Sequence, residues 1–155
     1  MNRQRIDVYE NGGNELIHAY RGLTKAQLLA VPIAGTWSLQ QIAVHMVESD
    51  LIATDRMKRI AAMDRPLLIG YDETAFSRLP GVDDIDAMEA CQMFATNRRM
   101  TATMLRKLPE EAFQRFGIHS ESGRVTLEEM IDKYIAHLDG HMAHILKKKA
   151  LVFVG

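Results

Sequence analysis

Four long segments of this chain repeat their apolar residues with the spacing of an α-helix, and this pattern limits the fold more than any other feature. The segments cover about residues 5–21, 38–63, 85–108 and 126–149. Strand signals compete only at residues 113–118 and 151–154. Because each amphipathic helix must bury one face against another, the expected fold is all-α, a single-domain four-helix bundle over residues 1–155 with a long crossover loop.

Capping residues indicate where two of these helices begin. Ser38 and Gln41 have the spacing of a capping box, and so have Thr126 and Glu129. The second and fourth helices are therefore expected to start at these residues. The second helix should stop before Pro66, since the position before a proline disfavours the helical conformation.

The connections between the helices are less well specified. A short helical turn is expected from Thr24 to the residue before Pro32, and residues 66–84 are expected to form a loop. Residues 113–125 could be a loop or a weak hairpin. The first helix contains the pair Gly12–Gly13, which lowers the helix propensity of its middle.

Composition and charge exclude several classes of function. The formal net charge is -1, so no global field favours nucleic acid or an acidic membrane. No run approaches the roughly 20 apolar residues of a membrane span, and the charged N-terminus does not resemble a signal peptide. The single cysteine, Cys91, cannot form an internal disulfide and is expected in the core. A cytoplasmic location is the resulting expectation.

The last helix contains the pattern that points most directly to chemistry. His137 and His141 are one turn apart, about 40° around the helix and ~6 Å along its axis. They share the apolar face with Leu138 and Ile145, so they are expected to point into the bundle. Two imidazoles at this spacing can chelate one metal ion. The lysines at 147–149 are interpreted as favourable charge at the helix C-terminus rather than as a binding patch.

A third ligand is expected from the second helix. His45 lies on the apolar side of that helix, and Glu48, almost one turn further on, could supply an oxygen ligand, a hydrogen bond to a ligand, or a general base. His18 and His119 lie outside this pattern. The alternative is that these histidines are core residues, each of which would then need a hydrogen-bond partner. Spacing alone does not decide between the two interpretations.

Two motifs resemble a known family. The segment GTWSLQQIAVH, which ends at His45, resembles the opening motif of the DinB/YfiT-like proteins, and HLDGHMAH, from His137 to His144, resembles their closing H-x-x-x-H motif. The resemblance implies a four-helix bundle in which His45, His137 and His141 bind a divalent ion, zinc or nickel being favoured. His144 stands where many relatives have glutamine, and is expected to contact substrate or move protons rather than to bind the ion.

Three nitrogen ligands leave coordination positions open, which is typical of a catalytic site. An ion there could lower the pKa of a bound water or hold a thiol as thiolate. The family resemblance favours the second chemistry: a thiol S-transferase that acts on small electrophiles with a low-molecular-weight thiol as cosubstrate. The alternatives are a metal-dependent hydrolase and a non-catalytic metal- or ligand-binding stress-response protein. Family habit and the apolar C-terminal tail are compatible with a homodimer.

Overall fold

A computed structural model describes residues 3–153, and four long helices dominate it. The helices are α1 (Gln4–Tyr20), α2 (Lys25–Leu29), α3 (Leu39–Ala62), α4 (Glu73–Phe76), α5 (Ala87–Leu105) and α6 (Leu127–Val152). The strands are β1 (Leu67–Leu68), β2 (Phe116–His119) and β3 (Gly123–Thr126), and 3-10 turns cover Val82–Asp84 and Glu110–Gln114. The predicted four-helix bundle, built from α1, α3, α5 and α6, is confirmed.

Both predicted capping boxes are present. The Ser38 hydroxyl accepts a hydrogen bond from the Gln41 backbone N–H, and the Gln41 side chain accepts one from Ser38 N–H. Thr126 and Glu129 make the same pair of bonds at the start of α6. The prediction for α5 was two residues early, because Asp86 caps the helix and excludes residue 85.

Residues 151–154, the C-terminal tail, carry a strand signal in the sequence, but the structure does not show a strand there in the residues it describes. α6 continues through Val152, so residues 151 and 152 are helical, while Val154 lies outside the described residues. Val152 packs against the hydrophobic core, but Leu151 and Phe153 are about half exposed. The tail therefore extends the last helix of the bundle. The expected homodimer stays a prediction.

The glycine pair does not interrupt α1. A Cβ added at Gly12 would lie 2.4 Å from Leu138 Cδ2, and one added at Gly13 would lie 2.7 Å from Ala95 Cα. A side chain at either position would require its neighbour to shift, and at Gly13 that neighbour is the backbone of α5. The glycines thus allow α1 to approach α5 and α6 closely, and this close packing offsets their low helix propensity.

The segment at residues 66–84 is more ordered than the predicted loop. β1 pairs in parallel with β2, and β2 pairs antiparallel with β3, so the three strands form a small sheet in the order β1-β2-β3. The hairpin alternative for residues 113–125 is thereby confirmed. Leu68 is buried, and Pro66 O accepts a hydrogen bond from Ile118 N–H. The sheet holds the start of α4 close to α3 and α6.

The bundle interior has two hydrophobic clusters. One is built around Ile6, Met57 and Leu105, and the other, which includes the buried Cys91, around Phe94. Buried polar residues lie on α3 and α5 as well, and they include the predicted ligand His45 together with Asp50 and Arg98. Within residues 3–153 no helix is long and apolar enough to cross a membrane.

Candidate metal centre

Helices α3 and α6 bring the three predicted ligands together. One ring nitrogen from each of His45, His137 and His141 lies within 4.8 Å of the others. The Nε2 atoms of His45 and His137 are 3.1 Å apart. Two nitrogen ligands of a tetrahedral zinc ion, each about 2.0–2.1 Å from the metal, are roughly 3.3 Å apart. The spacing of the His45 and His137 nitrogens therefore fits a divalent ion, while the role of the three histidines as ligands stays a prediction.

The three imidazoles are held in their neutral form. His45 is 1% exposed, and burial together with the neighbouring His141 ring lowers its pKa to about 4. Burial, followed by the other two rings, lowers the pKa of His137 to about 3. The pKa of His141 is also lowered, first by burial and then by His144. Neutral imidazole is the form that binds metal, so no proton must be displaced near pH 7.

Two nitrogens of these rings lack hydrogen-bond partners. Nδ1 of His45 and Nδ1 of His141 are buried, and neither has a partner among the described residues. Histidines that serve only the core normally have their buried nitrogens paired. The purely structural interpretation therefore lacks the partners it requires, while the Nε2 atoms of His45 and His137 are the nitrogens spaced to share an ion.

Aromatic side chains restrict the orientation of the histidine rings. The Trp37 ring is 4.8 Å from that of His45 and lies parallel to that of His141 at 6.3 Å, centroid to centroid. On the opposite side, Tyr134 meets His137 edge to face at 5.8 Å. Trp37 immediately precedes the capping box of α3, so the local signal that starts the helix also places this ring.

A carboxylate that the sequence analysis missed lies beside the histidines. Glu73 Oε2 is 3.9 Å from His45 Nε2. Glu73 is the first residue of α4, which Asp72 caps by accepting a hydrogen bond from Ala75 N–H. Burial raises the Glu73 pKa, against the opposing effect of Lys133. An aspartate at a cap position was the one local signal for this turn, and the pairing of β1 with β2 brings it to the site.

The two predicted proton-moving residues occupy different surroundings. Glu48 is half-buried on α3, where burial raises its pKa, but the carboxylate beside His45 is that of Glu73. His144 is exposed on α6, with its ring 6.4 Å from the His141 ring. The roles of Glu48 and His144 stay predictions.

Two cavities adjoin the histidines. The larger, of about 390 Å³, adjoins His141 and will be called the lysine cavity. It is lined by Ile33, Gly35, Thr36, Trp37, Ile42, His141, His144, Lys147 and Lys148. The smaller, of about 100 Å³, adjoins His137 and will be called the polar cavity. It is lined by Ser49, Arg56, Gly70, Tyr71, Glu73, His119, Glu121, Lys133, Tyr134 and His137. His119, which stood outside the sequence pattern, thus lies near His137, whereas His18 is exposed on α1.

The polar cavity holds groups that can bind a polar ligand. Arg56 is 5% exposed and donates to Tyr134 Oη at 3.1 Å and to Ile69 O at 2.6 Å. The Tyr71 hydroxyl is buried without a partner among the described residues, and so is Arg56 Nε. Burial lowers the His119 pKa, with Arg56 adding to the effect. Arg56 and Tyr134 lie on α3 and α6, whereas Tyr71 precedes α4 and His119 ends β2, so helical periodicity could not have identified the last two.

Comparison with known proteins identifies relatives over nearly the whole chain. A family model described as the DinB superfamily matches residues 9–145. The chain is 27% identical over 141 residues to a Bacillus subtilis protein named "Putative metal-dependent hydrolase YfiT", which covers 90% of this chain and 79% of that protein. A Bacillus pumilus protein with the same description is 29% identical over 124 residues, covering 79% of this chain and 70% of the relative.

The fold is also similar to a solved structure. The Bacillus subtilis YfiT structure, described as an unusual four-helix bundle topology, matches with a TM-score of 0.90 and 26% identity. The match covers 95% of this chain and 85% of that one. The similarity therefore covers nearly the whole of this chain.

Proposed function

This chain belongs to the DinB superfamily, and on that premise we propose that it is a divalent-metal-dependent hydrolase whose ion is held by His45, His137 and His141. The observation that carries the proposal is the convergence of three neutral imidazoles with a carboxylate 3.9 Å from one of them. The naming of relatives as metal-dependent hydrolases supports the same class of reaction.

The residues around the site divide the work of such a reaction. When bound, a divalent ion supplies Lewis acidity, which polarises a substrate oxygen and acidifies a water or thiol ligand. Glu73, whose carboxylate lies 3.9 Å from His45 Nε2, accepts the proton of the attacking nucleophile. Its raised pKa brings it closer to neutral pH, where a general base is most effective. In the polar cavity, Tyr71 and Arg56 have unpaired donors available for a substrate oxygen.

Thiol S-transfer, with zinc or nickel and a low-molecular-weight thiol, is the second candidate. The wall of the lysine cavity next to His141 is formed by Trp37, Ile33 and Ile42. Such an apolar wall limits the access of water and suits an electrophile with an apolar body. Glu73 would then accept the proton of the thiol rather than that of water.

Metal content is the first experiment. Protein purified and then equilibrated with zinc or nickel is expected to retain about one ion per chain by elemental analysis. His137→Ala is expected to lose that ion, and His18→Ala, on the exposed face of α1, is the matched control. Retention of the ion by His137→Ala, or no uptake by the unaltered chain, would refute the proposed site.

Activity assays then separate the reactions. The metal-loaded protein is tested for ester and amide hydrolysis, and in parallel for loss of a thiol in the presence of an epoxide or chlorinated electrophile. Ester hydrolysis without thiol consumption supports the first proposal, and the reverse result supports the second. Bound metal with neither activity favours the non-catalytic ligand-binding protein expected as a further alternative from the sequence.

A pair of glutamate variants identifies the general base. Glu73→Gln is expected to lower kcat by about 100-fold, the lower end of what a positioned base contributes, with metal content unchanged. Glu48→Gln removes the other predicted carboxylate and is expected to change kcat less than threefold. The opposite ranking would return the role to Glu48.

A further inference from the structure

The lysine cavity has an electrostatic character that the metal centre does not explain. Its volume is about 390 Å³, and in the described part of the chain no acidic side chain lines it. His141 of the metal centre lines it, and so do Lys147 and Lys148, which follow His141 on α6. A cavity that combines a reactive centre with positive charge favours an anionic ligand.

Lys148 is the unusual residue of this cavity. It is 4% exposed, and its ammonium donates a hydrogen bond to the Thr36 hydroxyl. Within residues 3–153 no carboxylate lies within ion-pairing distance of it. An ammonium has three donors, and buried charges in proteins are normally paired. Burial, and secondarily Lys147, lowers the Lys148 pKa.

The charge pattern of the helix end does not account for Lys148. Lys149 fits the predicted role, since it lies in the last turn of α6 and donates to Ala19 O. Lys148 instead turns into the cavity wall, where its ammonium meets Thr36 of the α2–α3 loop. Lys148 and Lys149 are adjacent in the sequence but have different surroundings, and Lys148 lines the lysine cavity.

The cavity also has an apolar lining. Ile33, Trp37 and Ile42 line it together with the lysines and the histidine. Lys148 follows His141 by seven residues on one helix, so their backbone positions are ~10 Å apart along the helix axis. A ligand that reaches both residues therefore needs an apolar body between its charge and the group that reaches the metal centre.

We propose that the lysine cavity is the substrate pocket of this protein and that it binds a small carboxylate with an apolar body. The carboxylate pairs with Lys148, the apolar body lies along Trp37, and the reactive end reaches His141. The inference rests on the proposed function, because it names the substrate class of the same site.

The ring of Trp37 makes the proposal directly measurable. It is the single tryptophan of the chain and lines the cavity, so intrinsic fluorescence reports occupancy. Octanoate and its neutral analogue octanamide are titrated into metal-free and zinc-loaded protein. Octanoate is expected to bind at least tenfold more tightly than octanamide in both forms, since the two ligands share one alkyl chain and nearly one shape but only octanoate carries the charge that pairs with Lys148.

Lysine variants test which ammonium group binds the carboxylate. Lys148→Met is expected to weaken octanoate binding at least tenfold and to abolish the preference over octanamide. Lys149→Met removes a neighbouring lysine that lies outside the cavity, and is expected to leave both affinities unchanged. If Lys148→Met does not fold, the comparison of the two ligands on the unaltered protein still decides.

Several results would overturn the inference. Equal affinity for octanoate and octanamide, no binding of either, or unchanged octanoate binding by Lys148→Met would each remove the carboxylate site. Octanoate binding that requires zinc would place the carboxylate on the ion instead of on Lys148. Zinc content is measured separately, so a protein that binds octanoate but no zinc contradicts the proposed function alone, and a protein that binds zinc but no octanoate contradicts this inference alone.

Discussion

Two polar clusters are buried in the same helical bundle, and they differ in how their atoms are paired. In the Asp50–Arg98 cluster, Arg98 Nε donates to Asp50 Oδ1 at 2.9 Å, and the other guanidinium nitrogens donate to the backbone carbonyls of Tyr9 and Tyr134. The guanidinium also lies 4.4 Å from the ring centroids of Tyr9 and Phe94. Asn97 donates to the other carboxylate oxygen at 2.7 Å.

The histidine cluster of His45, His137 and His141 lies close by and is not paired in this way. Two of its buried nitrogens have no partner in the described part of the chain, and the shortest polar contact is between two rings. Complete pairing within one chain indicates a cluster that stabilises the fold. Incomplete pairing indicates a cluster arranged to bind a group that the chain itself does not supply.

The largest effect is expected from breaking the paired cluster. Arg98→Met leaves the buried Asp50 carboxylate without its cation and should lower the free energy of unfolding by about 3–5 kcal/mol. Urea denaturation measures the change, and Arg99→Met, on the exposed face of α5, is the control. Adding Asp50→Leu should recover part of the loss, because it removes the uncompensated charge. A loss below about 1 kcal/mol would mean that Arg98 is not the partner that stabilises Asp50.

Breaking the histidine cluster should change the stability of the metal-free protein little and that of the zinc-bound protein much more. Without metal, His137→Ala should lower the free energy of unfolding by no more than about 1 kcal/mol, since no complete hydrogen-bond network is lost. With free zinc at 100 times its dissociation constant, the unaltered protein should gain about 2.7 kcal/mol, and the variant should gain none. Urea denaturation with zinc or with a chelator tests both statements. An equal gain in the two proteins would contradict the assignment.

The pH dependence of stability should separate the two clusters further. The folded-state pKa of His45 is about 4 and that of His137 about 3, both below the ordinary value of 6.5. Between pH 6.5 and 4 the unfolded chain therefore binds protons that the folded chain does not. The free energy of unfolding of metal-free protein should fall as the pH falls through this window.

A variant isolates the histidine contribution to this pH dependence. His137→Gln should show a shallower fall in the free energy of unfolding between pH 6.5 and 4 than the unaltered protein, by urea denaturation at each pH. Asp50 is present in both proteins, so its titration largely cancels in the comparison. Parallel curves would show that His137 titrates normally in the folded state.

The smallest effect is expected at the edge of the paired cluster. The hydroxyls of Thr54 and Thr101 are 2.8 Å apart, and Asn97 also donates to Thr54 at 2.9 Å. Thr101→Val removes one of two bonds to Thr54 and should lower the free energy of unfolding by about 0.5–1.5 kcal/mol. A loss close to that of Arg98→Met would show that the network acts as a unit rather than through the ion pair.

Local sequence patterns were sufficient for some features because their physics is local. Helical periodicity located the four long helices, and the capping spacing at Ser38 and Thr126 located two of their starts to the residue. The spacing of His137 and His141 placed both rings on one side of α6. These predictions depend only on residues within a few positions of one another along the chain.

Other features depend on contacts between distant segments. Arg98 and Asp50 are 48 positions apart, and a charged residue on a predicted helix is normally assigned to its solvent-exposed face. Gly12 and Gly13 were predicted to weaken the middle of α1, because the helices that pack against them could not be identified from the sequence. The α4 segment was predicted as loop because β1 has only two residues and forms by pairing with residues 51 positions further on.

By itself, therefore, the sequence determined the helical class of this protein, the helix starts at its capping boxes, and the histidines able to meet inside a bundle. Only the tertiary structure decided that Glu73, rather than Glu48, lies beside His45, that His119 lines the polar cavity, and that Lys148 is buried in a cavity with no acidic lining residue. The physical reason is that periodicity and capping are properties of a short segment. The surroundings of a side chain are set by segments that meet only after folding.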